Sequence, residues 1–155
     1  MVFMRNVVVL YDSVTGNTAK IAESIVNGLK RGGNVNVILK KVDEKFSLRI
    51  LNDADLIVLG SPARYANVTP GMHTLITAIL EAIELGIINL KGKLFAFFGS
   101  YGWDGGIALE KVFNKYAKLM GLKVLLPGFL ITETPSENDL KLAEEFGLKL
   151  ASLLK

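Results

Sequence analysis

Continuous apolar runs alternate with segments whose apolar residues recur every three or four positions, and no other feature limits the fold as tightly. Residues 6–11 hold Val7, Val8, Val9 and Leu10 in succession, residues 55–60 are mostly apolar, and residues 94–99 are rich in phenylalanine. A strand without a polar face must be covered on both sides, as in a parallel sheet between two helical layers. Residues 34–40 read differently: Val35, Val37 and Leu39 alternate with Asn34, Asn36 and Lys40, the pattern of a half-exposed edge strand. A fifth run begins near Lys123 and is bent or broken at Pro127-Gly128.

The segments between are helical in period. Ile21, Ile25, Val26 and Leu29 share one face of a helix over 19–31 that stops at Gly32-Gly33. Met72, Leu75, Ile76, Ile79 and Ile83 mark a second long helix, and Leu109 to Met120 a third, ending at Gly121. The last helix opens on Ser136 and Asp139, a capping-box-like pair. A short helix is expected around 47–52. Strands alternating with helices and joined by right-handed crossovers give an α/β fold: a doubly wound, five-stranded parallel sheet of order 2-1-3-4-5 in a three-layer sandwich. One domain over 1–155 is expected from the length. A ligand crevice then lies at the carboxyl ends of strands 1 and 3, where the winding reverses.

Three loops open on that crevice. The first, residues 11–18, reads Tyr-Asp-Ser-Val-Thr-Gly-Asn-Thr. Ser13, Thr15 and Thr18 offer hydroxyls, Asn17 an amide and Gly16 backbone freedom, all where a strand feeds a helix. Such a turn aims N–H groups and the positive end of the helix dipole at one point, which suits a phosphate. The loop contains no Lys or Arg, so neutral donors would hold it, as suits a monophosphate ester on a tightly held cofactor. Ser13 or Asn17 acting only as a helix cap is the plainer reading. Three hydroxyls in six residues exceed what a cap needs. Neither a Walker A sequence nor the dinucleotide glycine fingerprint is present.

The second loop, residues 61–70, combines small residues with Arg64, Tyr65 and Asn67. The third, residues 100–106, sets Tyr101 and Trp103 among Gly99, Gly102, Gly105 and Gly106. Glycines let backbone approach a flat ligand, and the aromatics supply faces for stacking. A phosphate site with aromatic walls and exposed amides describes a pocket for flavin mononucleotide (FMN). Trp103 is expected to stack, since a glycine-rich loop is a poor place for a core indole. Tyr65 is either a ring wall or a solvent-facing aromatic, and Arg64 either a surface charge or a neighbour of the anionic cofactor. Ala66 stands where glycine would be most permissive, and alanine is expected to resist positive φ. His73 is expected to be structural or solvated, and Lys91 and Lys93 to belong to a solvated turn.

Composition narrows the chemistry. With no cysteine and a single histidine, the chain has no disulfides, thiol catalysis, zinc–thiolate or multi-histidine sites. Any redox chemistry must come from a non-metal cofactor bound non-covalently. The net charge of +3 is scattered rather than striped, so nucleic acid is not an expected partner. No apolar run reaches the roughly 18 residues of a membrane span, and the start is too short and strand-like for a signal peptide. A cytoplasmic location is expected.

The strings at 11–18, 60–67 (Gly-Ser-Pro-Ala-Arg-Tyr-Ala-Asn) and 98–106 (Phe-Gly-Ser-Tyr-Gly-Trp-Asp-Gly-Gly) carry a resemblance. Over nearly its full length the chain resembles a short-chain flavodoxin, most of all the flavodoxin-like domain of flavodiiron (A-type) flavoproteins. The second string is also similar to the quinone-reductase branch of the superfamily. The iron-binding domain of flavodiiron proteins is not in these residues, so chemistry at a di-iron centre is not expected of this chain alone. The resemblance implies that Ser13, Thr15, Gly16, Asn17 and Thr18 bind the FMN phosphate. It implies that Ser61, Pro62, Ala63, Arg64, Tyr65 and Asn67 line the ribityl chain and one edge of the ring, and that Ser100, Tyr101, Gly102, Trp103 and Gly106 line the other. It further implies an electron carrier serving redox protein partners. Most flavodoxins are strongly acidic, whereas this chain is mildly basic, which points to a partner with an acidic or neutral docking face. The alternative is an NAD(P)H-dependent FMN reductase of quinones or flavins. A phosphoacceptor receiver domain, which shares the fold, fails on its required acidic and lysine residues.

Overall fold

The computed structural model describes residues 4–154. Its strands are β1 (Arg5–Tyr11), β2 (Val35–Lys41), β3 (Leu56–Pro62), β4 (Leu94–Tyr101), β5 (Lys123–Val124) and β6 (Phe129–Thr132). They alternate with helices α1 (Asn17–Gly32), α2 (Pro70–Glu84), α3 (Ile107–Met120) and α4 (Glu137–Leu153), plus a 3-10 turn at Leu48–Asp53. All strand pairings are parallel, in the order β2-β1-β3-β4-β5, with β6 also on β4. The expected fifth strand is thus two pieces in one line, interrupted around Pro127-Gly128, and both pair with β4. β4 itself runs two residues past the expected end, taking Ser100 and Tyr101 out of the loop and into register with Ile131 and Thr132.

Each central strand divides its side chains between two cores. Val8, Leu10, Ile57, Leu59, Phe95 and Phe97 pack under α2 and α3. Val7, Val9, Leu56, Val58, Ala96 and Phe98 pack under α1 and α4. This period of two explains why the strands are apolar throughout. Phe97 stacks on Phe113 of α3 with ring centroids 5.2 Å apart, fixing that helix over β4. On the other face α1 and α4 cross closely enough that Gly28 and Gly147 each lie against the opposite helix backbone. Lys93 corrects one expectation: its Nζ donates to the carbonyls of Asn52 (2.7 Å) and Ala54 (2.8 Å) and ties the 3-10 turn to β4. Among the described residues no helix is long and apolar enough to cross a membrane.

Candidate cofactor site

At the carboxyl edge of the sheet, α1 begins differently from its neighbours. α2 is capped by Thr69 and α4 by the expected capping box of Ser136 and Asp139. α3 begins at Gly106, and the Asp104 carboxylate accepts from the N–H groups of Gly106 (3.0 Å) and Ala108 (3.1 Å). α1 begins at Gly16, in the left-handed region at φ 90°, with no side chain of its own to cap it. Ser13 Oγ accepts from Gly16 N–H (3.1 Å) and Ala19 N–H (3.3 Å), which realises the capping role open to it from sequence. The N–H groups of Thr15, Asn17 and Thr18 find no acceptor among the described residues. A helix end with free donors and no carboxylate on it attracts an anion; one already occupied by aspartate does not. Of these two helix ends it is α1, not α3, that leaves donors free for an anion.

A cleft of about 480 Å³ lies over this turn, walled by Thr15, Asn17, Thr18, Pro62, Ala63, Arg64 and Ser100, together with Val14, Glu133 and Thr134. A second, of about 380 Å³, is lined by Ala63, Tyr65, Ala66, Gly102, Trp103, Asp104 and Glu133. Ala63 and Glu133 belong to both, so the clefts adjoin: a polar trough at the helix end opens into a slot bearing two aromatics. Tyr65 is fully exposed and Trp103 94% exposed, so neither is core. Such exposure is costly for two large rings unless something flat covers them. A wider groove of about 690 Å³ lies alongside, with Arg64, Tyr65, Asn67 and the solvent-facing His73 in its wall.

Arg64 and Asn67 exchange backbone hydrogen bonds (2.7 and 2.9 Å) around Tyr65 and Ala66, which have φ of 49° and 59°. This is a two-residue hairpin with both central residues left-handed, a geometry ordinarily given to Asn-Gly. Ala66 thus adopts a positive φ that its own propensity resists. The paired bonds impose it, at a cost of about 1–2 kcal/mol per residue.

Eleven of the sixteen sequence-predicted residues line these clefts. The other five stand behind the walls. Ser13 and Gly16 shape the α1 turn, and Gly106 starts α3. Tyr101 is held in β4. Ser61 is fully buried, its Oγ donating to the Pro62 carbonyl (2.8 Å) and accepting from Thr69 N–H (3.0 Å). The sequence reading missed Glu133 and Thr134, which reach the trough from the loop after β6. Only the exact exit of the broken fifth strand could have placed them. It also missed Asp12, whose carboxylate binds the neighbouring loop. At the end of β1, the Tyr11 hydroxyl is pushed above the ordinary phenol range, first by burial and then by Glu44 and Glu23. It stays protonated at neutral pH. Among the described residues no group of three or more His, Asp or Glu side chains is placed to hold a metal ion.

Comparisons with known proteins bear on the family and the fold. The flavodoxin family model matches residues 9–147. A flavodoxin of Clostridium saccharobutylicum is 31% identical, with 95% of this chain matching 96% of that protein. A type A flavoprotein of Rhodobacter capsulatus is 31% identical over 97% of this chain, which covers 33% of it. The chain thus spans about a third of the length of the longer curated relatives it matches. Among solved structures, a flavodoxin from the domain Archaea superposes with a TM-score of 0.81 at 30% identity, covering 96% of this chain and 98% of that one.

Proposed function

Because the chain belongs to the flavodoxin family, we propose that it is an FMN-binding electron-transfer protein whose adjoining clefts hold FMN, with the phosphate at α1 and the ring between Tyr65 and Trp103. The observation that carries this reading is the continuity of a donor-rich helix end, with no carboxylate capping it, with a slot bearing two exposed aromatics. FMN supplies one- and two-electron chemistry when bound; the protein residues bind it, orient it and set its electrostatic surroundings. Thr15, Asn17 and Thr18 offer N–H and side-chain donors to the phosphate. Exposed Tyr65 and Trp103 cover the ring faces and leave an edge for a partner to approach.

Two opposite charges stand in the trough, Arg64 on one wall and Glu133 on another. Reduction adds negative charge to the ring, which a cation favours and a carboxylate opposes. Arg64→Ala is expected to lower the potential of the second one-electron step, and Glu133→Gln to raise it. A unit charge a few ångströms away at an effective dielectric near 20 contributes about 2–3 kcal/mol, and solvent screening of these exposed groups reduces that to roughly 50 mV. Spectroelectrochemistry at low and high salt measures both shifts, which should shrink as salt rises. Potentials that do not move in either variant place both charges away from the flavin.

We propose a redox protein with an acidic or neutral docking face as partner, from the net charge of +3 and the position of Arg64 at the cleft. The family relationships do not favour the reductase alternative. Titration with FMN tests the placement, because Trp103 is the single tryptophan. Its emission should fall as FMN saturates the protein, and anaerobic mixing with NADH alone should leave the flavin oxidised. FMN binding with undiminished tryptophan emission would remove Trp103 from the slot. Rapid bleaching by NADH would favour the reductase.

A further inference from the structure

Asp12 forms no ion pair among the described residues, yet its carboxylate stands next to Ser13, whose hydroxyl organises the α1 turn proposed to take the phosphate. A negative charge there weakens phosphate binding, so its presence calls for a compensating role. Its hydrogen bonds indicate one. Oδ1 accepts from Ser13 N–H at 2.8 Å, and Ser13 Oγ in turn organises Gly16 and Ala19. Oδ2 accepts from the Thr69 hydroxyl at 2.5 Å. Thr69 Oγ1 caps α2 by accepting from Met72 N–H (3.1 Å), and Thr69 N–H donates to Ser61 Oγ. Thr69 is 2% exposed and Ser61 fully buried, so the Thr69 end of this chain of bonds is shielded from water, while the Asp12 carboxylate is half-buried. Gly71 packs so close that a methyl there would meet the Asp12 carboxylate. One bonded path therefore runs from the α1 turn, through Asp12 and Thr69, to both ends of the segment that bears the Arg64–Asn67 hairpin.

We infer that Asp12 is a positioning residue: with Thr69 it fixes the spacing between the phosphate turn and the ring hairpin. The inference rests on the FMN reading above. FMN presents two recognition elements, phosphate and ring, on one tether. Joining them adds affinity only while the two sites are held at the tether's span. Riboflavin engages only the ring side and gains nothing from that spacing.

The test compares FMN and riboflavin affinities of apoprotein for wild type, Asp12→Asn, Thr69→Val and Thr69→Ser, with thermal unfolding recorded for each. Asp12→Asn and Thr69→Val should each lower the FMN-to-riboflavin affinity ratio about tenfold, although neither residue lines the cleft proposed for the phosphate. Thr69→Ser keeps the hydroxyl and should stay within about twofold of wild type. Asp12→Asn has nearly the same shape as wild type and keeps the test open if Thr69→Val unfolds. A ratio unchanged while the melting temperature falls would make the bonds merely structural and overturn the inference. So would a ratio that rises in Asp12→Asn, because removing a charge by itself favours FMN. If wild type binds neither flavin, the FMN reading fails first; if it binds FMN and the ratio does not move, only the spacing role fails.

Discussion

Gly147→Ala should destabilise the fold by about 3 kcal/mol, a net figure after the roughly 1 kcal/mol of helix propensity that alanine returns. The new methyl would meet the carbonyl oxygen of Ile25 and the amide of Leu29 across the α1–α4 crossing. Gly28→Ala should behave alike, since its methyl would meet the Glu144 carbonyl and Leu148 N. These are backbone atoms, and no rotamer change removes the clash. The helices must separate, which uncovers the core under them, where Val9, Val58 and Phe98 are fully buried. Chemical denaturation measures the loss. Lys141→Ala, an exposed α4 position, serves as the reference and should change stability by under about 0.5 kcal/mol. A Gly147→Ala midpoint equal to wild type would mean that the helices do not cross so closely.

The second large effect falls on the cofactor. Thr15→Val with Thr18→Val removes two hydroxyls from the wall of the trough while keeping the shape of both side chains. Thr18 is 1% exposed, so valine preserves its packing and the change acts through its lost donor. A hydrogen bond to a charged group contributes about 1.5–3 kcal/mol, so losing two should weaken FMN binding at least tenfold. Riboflavin affinity should change little. Equal loss for both flavins would point to a distorted loop, and no loss for either would remove the phosphate from this turn.

The layers were legible in the sequence because burial on both faces leaves an unbroken apolar run in the middle of β1 (7–10), β3 (56–59) and β4 (94–98), and Gly32-Gly33 and Gly121 mark the ends of helices α1 and α3. The three crevice loops were legible for a related reason: hydroxyls, glycines and exposed aromatics gather where no core explains them. What stayed hidden depends on long-range geometry. Asp12 meets Thr69 across 57 positions of sequence, a bond no local pattern announces. Glu133 enters the trough only because β6 resumes after a break, and Lys93 reads as a surface charge until the carbonyls of Asn52 and Ala54 are seen around its Nζ. The φ of Ala66 stayed hidden because propensity describes an isolated residue, whereas two bonds between Arg64 and Asn67 decide it.

FMN held by its phosphate at α1 and by its ring between the two loops must be told from riboflavin by the protein. Titrating apoprotein with FMN and, in parallel, with riboflavin, while following flavin fluorescence, tests it most directly. Saturable quenching at one FMN per chain is expected, with riboflavin bound at least tenfold more weakly for want of the charged phosphate. Flavin fluorescence that stays undiminished with excess protein, or equal affinity for the two flavins, would contradict it.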